Sequence, residues 1–172
     1  MYEFMKMLKA HLKQMEKKER LAYLVRFLWH STYSWGHEII GATDCSGTVC
    51  FALYLMGYNI RTTADGIFNN LTIPRALLVP GPGDLVFWKD AAGKKVVHVA
   101  VFSDDGVLMN AGPEIVDRTW KSMTTDRARD GQTRYDARAL DFAACQKASE
   151  DGTMVWGVDP ELEPLFGLFE ED

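Results

Sequence analysis

Apolar residues recur at helical spacing along the first part of the chain: Phe4, Leu8, Leu12 and Met15, then Leu21, Leu24, Val25 and Leu28. Steps of three and four put them on one face, so residues 4–29 predict one or two helices. The charged run Glu16-Lys17-Lys18-Glu19-Arg20 reads either as a solvated face or as the break between two helices. From Cys45 to Met56 the pattern is almost wholly apolar, which predicts a buried helix. Asp44 is its N-cap and Gly57 its left-handed end. Gly47 and the β-branched Thr48 and Val49 weaken the first turns, so this helix depends on tertiary burial.

Residues 61–83 read as a loop or short helix, closed by the breaker Pro80-Gly81-Pro82-Gly83. The period then shortens towards two. Residues 84–88, 96–102 and 107–110 predict three strands, joined by turns at Ala92-Gly93 and Asp104-Asp105-Gly106 into an antiparallel meander. Residues 113–134 are polar and without clear pattern, and residues 134–140 predict a last, edge strand. The acidic stretch after about residue 145 is punctuated by Gly and Pro. Its Trp156, Leu162, Leu165, Phe166 and Phe169 are expected to pack against the rest. Helices followed by a sheet give an α+β class.

A length of 172 residues suits one domain with a single sizeable core. The net charge of −5 argues against nucleic acid or an anionic membrane as the main partner, since both call for a basic face. No apolar run reaches 18 residues, so no spanning helix is expected. No apolar segment of signal-peptide type follows Met1, so no ordinary secretory signal is expected. Three cysteines are too few for a disulfide framework, and no C-x-x-C pair suggests a zinc or thioredoxin-like centre. The count suits a reducing compartment, or an enzyme that needs one free thiol.

That thiol is Cys45. Cysteine attacks as thiolate, and its pKa falls at helix N-termini and beside an imidazolium. An exposed helix end contributes only about 0.3–1 kcal/mol, so a histidine partner is needed. His98 is the best candidate: alternation puts it opposite Val97 and Val99, on one face with Ala100 and Phe102. His11 and His30 sit in ordinary helical contexts, and His37 is a weak competitor. Asn110 lies on the strand after the next tight turn, where it can accept the second ring proton and leave the first nitrogen facing sulfur. Each residue also has a plain structural reading. A lone Cys is a small core residue, a strand His a hydrogen-bonded one, and Asn before Ala-Gly-Pro a turn former. Cys50 and Cys145 read as packing, Trp35 and Trp88 as core aromatics. The functional case rests on Cys45, His98 and Asn110 occurring together in a workable order.

With these residues in place, the chain resembles the NlpC family of papain-like cysteine peptidases, which cut peptide stems of bacterial peptidoglycan. The likeness runs over about residues 31–113. It includes Tyr33-Ser34-Trp35-Gly36, Asp44-Cys45-Ser46-Gly47-Thr48-Val49, Pro82-Gly83-Asp84-Leu85-Val86-Phe87-Trp88, His98-Val99-Ala100-Val101-Phe102 and Asn110-Ala111. The resemblance implies a papain-like fold, with N-terminal helices on an antiparallel sheet and Cys45 at a helix N-terminus. It implies Cys45 as nucleophile, His98 as base and Asn110 as the third polar group. Tyr33 matches a tyrosine that assists the oxyanion, and Asp44 and Ser46 match positions lining the substrate site. His37 stands where the family usually has a second glycine, and Asn110 where it most often has histidine.

The implied organisation is a single domain over 1–172: a helical extension at 1–30, a catalytic core at 31–140 and an acidic tail at 141–172. The implied activity is hydrolysis of a stem-peptide amide after D-glutamate, without metal or cofactor. Rival readings are a non-catalytic phage-tail or assembly module, and an amidase or acyltransferase using the same thiol. Delivery to the wall by a phage or a secretion system reconciles an external substrate with the absent signal, and would bring a tail or immunity protein as partner. Cytosolic recycling of wall peptides is the alternative.

Overall fold

The structure is a computed structural model that describes residues 2–35, 45–74, 81–103, 107–110, 116–119, 135–157, 160 and 162–170. The side chains of residues 2, 28–35, 107–110, 116–119 and 135 lie outside that description. Two helices form at the N-terminus, α1 (Tyr2–Lys13) and α2 (Lys17–Trp35). The break falls at Gln14-Met15-Glu16, and the charged run from Lys17 onward is the first turn of α2. Arg20 explains why the chain can stop and restart there. Its buried guanidinium donates to the carbonyl of Leu12 (3.0 Å), in the last turn of α1, and to that of Met15 (3.1 Å), in the break itself. Helix α2 runs unbroken past residue 30, and Leu8, Leu12, Leu21, Leu24 and Val25 join the same core as the rest of the molecule.

Helix α3 (Cys45–Leu55) spans the predicted apolar run, and every residue after Cys45 is buried. Tyr58 N–H donates to Leu53 O (2.9 Å) and Gly57 N–H to Tyr54 O (3.1 Å), with Gly57 at φ +97°. This is the double-bonded C-terminal motif that favours glycine. The N-cap role read for Asp44 falls outside the described residues. Helix α4 (Ala64–Leu71) follows, capped by the Thr63 hydroxyl, which accepts from Gly66 N–H at 3.1 Å.

Among the described residues, six strands make one antiparallel sheet: β1 (Thr72–Pro74), β2 (Leu85–Lys89), β3 (Val96–Phe102), β4 (Val107–Asn110), β5 (Val116–Thr119) and β6 (Tyr135–Leu140). Their order is β1-β6-β2-β3-β4-β5, so the meander of β2, β3 and β4 is present. The last strand is not at an edge. β6 lies between β1 and β2, pairing Ile73 with Ala139 on one side and Val86 with Ala137 on the other. The charged Arg138 is accommodated inside the sheet. The guanidinium donates to Thr72 Oγ1 (2.8 Å) and lies over the Phe68 ring, 4.4 Å from its centroid.

Helix α5 (Phe142–Asp151) begins at Asp141, whose carboxylate accepts from Ala143 and Ala144 N–H. The acidic C-terminal stretch is therefore partly helical. Trp156, Leu162 and Phe169 are buried and Leu165 packs against the core, as expected; Phe166 stays 44% exposed but leans on Tyr54.

Strand alternation divides the apolar residues between two faces. Leu85, Phe87, Val99 and Val101 join α3 and α4 in the main core, where the Phe68 and Phe87 rings meet edge to face at 5.2 Å. Val86, Trp88, Ala100 and Phe102 form a second, smaller buried cluster on the opposite face.

Candidate active site

Cys45 is the first residue of α3 and the one residue of that helix that is only half-buried. It borders the main core, and α3 packs against β3. Main-chain N–H groups of a first helical turn lack intrahelical acceptors, so a thiolate here meets partial positive charge.

His98 is buried on β3, directly opposite Trp88 of β2, and the two rings lie 5.5 Å apart at 49°. Trp88, read as a core aromatic, is therefore also the surface against which the imidazole is held. The pairing slips just before this point. His98 faces Trp88 while Val96 faces Lys89, leaving Val97 as an extra, exposed residue. Such a bulge bends the strand and re-aims the side chains next to it. Beyond it His98 shares the face of Ala100 and Phe102, as alternation predicts.

The remaining candidates divide. Ser46 is buried and its hydroxyl accepts from Arg61 Nη1 at 3.3 Å. Tyr33 lies in the last turn of α2 and Asn110 at the end of β4, with their side chains outside the described residues; Asp44 is outside them altogether. On the β3 side of β4, Val101 pairs with Met109 and Phe102 with Leu108, and on the β5 side Asn110 pairs with Val116.

Sequence reasoning missed Arg61, which it left inside an undifferentiated loop. Its guanidinium bonds Ser46, donates to Thr62 O (2.8 Å) and lies over the Trp156 ring. A lone arginine among polar loop residues carries no local signal, because the partners that define its role come from α3 and the C-terminal segment.

The other two cysteines behave as core residues. Cys50 is buried and directs its thiol at Thr62 O, 3.8 Å away. Burial, reinforced by the nearby Asp141, pushes the Cys145 thiol from 9.0 up to about 12. In the unfolded chain that thiol ionises near its ordinary value, whereas the folded chain keeps it protonated. Its contribution to stability is thus complete below pH 9 and disappears as pH rises to about 12. Alkylation of the native protein at pH 8 is expected to modify Cys45 alone, with Cys50 and Cys145 reacting only after denaturation. Peptide mapping checks this, and prompt labelling of Cys145 would contradict it.

No curated protein and no solved structure matches the chain significantly. The model of the NlpC/P60 family matches residues 30–134, a span that begins inside α2, contains Cys45 and His98, and ends just before β6. Proteins of this family are generally hydrolases acting on peptidoglycan. With more than half its length matched, and a mixed helical and antiparallel architecture compatible with that assignment, the chain belongs to the NlpC/P60 family.

Proposed function

We propose that the protein is a cysteine endopeptidase that hydrolyses an amide bond in peptidoglycan stem peptides, after D-glutamate. One observation carries the reading: within the family-matched span, Cys45 is the half-buried opening residue of an otherwise buried helix, and that helix packs on the strand bearing His98. The reading requires the imidazole to reach the sulfur around the bulged start of β3, because His98 faces away from Val99 and Val101, which line the main core.

The Cys45 thiolate attacks the amide carbonyl, forming a C–S bond, and the carbonyl electrons move onto oxygen. The Cys45 N–H and the Tyr33 hydroxyl steady that oxyanion. Collapse breaks the C–N bond, and the His98 imidazolium gives its proton to the leaving amine. His98 then takes a proton from water, which attacks the thioester and releases the carboxylate and the thiolate. Asn110 orients the ring. Asp44 holds the free amine of the stem. Ser46 lines the same side. The proposed unit is one domain, acting on the wall after phage or secretion-system delivery.

Digestion of purified sacculi, followed by mass spectrometry of the fragments, tests this. Cleavage between D-glutamate and the diamino acid is the expected product pattern. Cleavage of the sugar–peptide bond would make the protein an amidase, and intact sacculi together with intact soluble stem peptides would refute the assignment.

A further inference from the structure

The segment after α5 lies outside the family-matched span, yet it is fastened to both ends of α3. At the helix's far end, Gly167 N–H donates to Tyr54 O (3.0 Å) and Phe169 N–H to Leu55 O (2.8 Å). These are carbonyls of the last turn, and Tyr54 O accepts from Gly57 N–H as well. Near the start of α3 the attachment runs through residues 59–61. Trp156 N–H donates to Asn59 Oδ1 (3.0 Å) and Arg61 N–H to Met154 O, while Ser149 of α5 accepts from Asn59 N–H (2.9 Å).

Trp156 is the centre of this arrangement. Its buried ring meets Phe51 and Tyr54 edge to face, at 6.3 and 6.2 Å. Its ring also carries the Arg61 guanidinium, 5.3 Å from the centroid. That same guanidinium donates to Ser46, the residue after Cys45. An arginine side chain has many rotamers, and a planar guanidinium over an aromatic ring is both oriented and partly desolvated. The indole therefore selects, among the Arg61 conformers, one that reaches the first turn of α3.

We propose that Trp156 is a positioning residue for the nucleophile: acting through Arg61 and Ser46, it fixes the turn that presents the Cys45 thiol and its N–H. This rests on the reading of Cys45 as nucleophile and extends it to a part of the chain beyond the family match. A population of Arg61 released from the ring leaves a fraction of molecules with a misplaced turn, and turnover scales with the competent fraction.

The test uses the full-length protein with Trp156→Leu, Trp156→Phe, Arg61→Lys and the double variant Trp156→Leu/Arg61→Lys. Turnover of a soluble stem peptide and the pH profile of Cys45 alkylation are measured for each. Trp156→Leu, which keeps an apolar group in the same place, is expected to lower kcat about tenfold with KM changed less than about twofold. Arg61→Lys should reproduce that loss, the double variant should be no worse than either single one, and Trp156→Phe should recover most of it. The alkylation midpoint should rise in Trp156→Leu and in Arg61→Lys, because the first turn whose N–H groups face the thiolate is no longer held in place. A folded Trp156→Leu protein with wild-type kcat and alkylation profile would overturn the proposal, as would losses that multiply in the double variant. Should Trp156→Leu not fold, Arg61→Lys decides alone: unchanged turnover and unchanged alkylation would overturn the idea. If the wild type cleaves no stem peptide, the functional reading fails, and the alkylation profiles still decide the positioning role.

Discussion

Replacement of Cys45 by alanine is expected to remove stem-peptide hydrolysis, lowering kcat by about 10⁴-fold or more, while the fold survives. Loss of a nucleophile acting with a base costs on the order of 10⁶ in well-studied hydrolases, and the residual rate comes from binding and oxyanion stabilisation. The substitution is small, at a half-buried position that opens a helix rather than filling its core. His98→Gln is the matching change on the strand. It keeps a neutral amide near the position of the ring beside Trp88 but cannot move a proton. General-base catalysis contributes roughly 10²–10⁴-fold, so a loss in that range is expected. Since the two groups act as a unit, the double variant should be no slower than Cys45→Ala alone. Unchanged melting temperatures would show that chemistry and not folding was lost. Stem-peptide cleavage persisting in purified Cys45→Ala protein would end the assignment.

Parts of this arrangement are written locally, and those were legible. β3 and β4 fall on the predicted residues because period-two alternation and a Gly-containing turn specify a strand without knowledge of its neighbours. The apolar run of α3 and its Gly57 terminus were legible for the same reason. Strand order was not. Whether β6 sits at an edge depends on β1, a three-residue strand ending in proline, and its pairing joins residues 64 to 68 positions apart. β5, reading Val-Asp-Arg-Thr, has too little apolar character to separate from its polar surroundings. At the proposed site, Cys45 and His98 were singled out because each combines a reactive side chain with a recognisable local context. The Ser46–Arg61–Trp156 chain was not, since Arg61 and Trp156 acquire meaning only through each other across ninety-five positions.

The second large effect concerns stability, at Gly83. Residues 81–84 form a tight turn, in which Asp84 N–H donates to Gly81 O (3.0 Å) and Gly83 takes φ +83° after Pro82. Proline followed by a left-handed glycine is the signature of a type II turn. The turn also extends the ladder that aligns the His98 strand: Gly83 N–H donates to Phe102 O (2.8 Å) and Phe102 N–H to Asp84 O (3.0 Å). On its outer side it rests on α2, where Lys18 pairs with the buried Asp84 carboxylate at 3.2 Å. A Cβ at Gly83 would fall within the main-chain carbonyl of Lys18, so neither backbone can yield without moving a helix or a strand. Left-handed strain costs about 1–2 kcal/mol for a non-glycine residue, and forced overpacking about 1–3 more. Gly83→Ala should therefore lose about 2–5 kcal/mol and lower the melting temperature by roughly 10 °C. Gly152 supplies the control, since it has φ +68° at the end of α5 but nothing within 4 Å of an added Cβ. Gly152→Ala meets only the strain term, about 1–2 kcal/mol. Thermal unfolding of the two variants separates the contributions, and equal destabilisation would show that the contact between this turn and α2 does not constrain the fold.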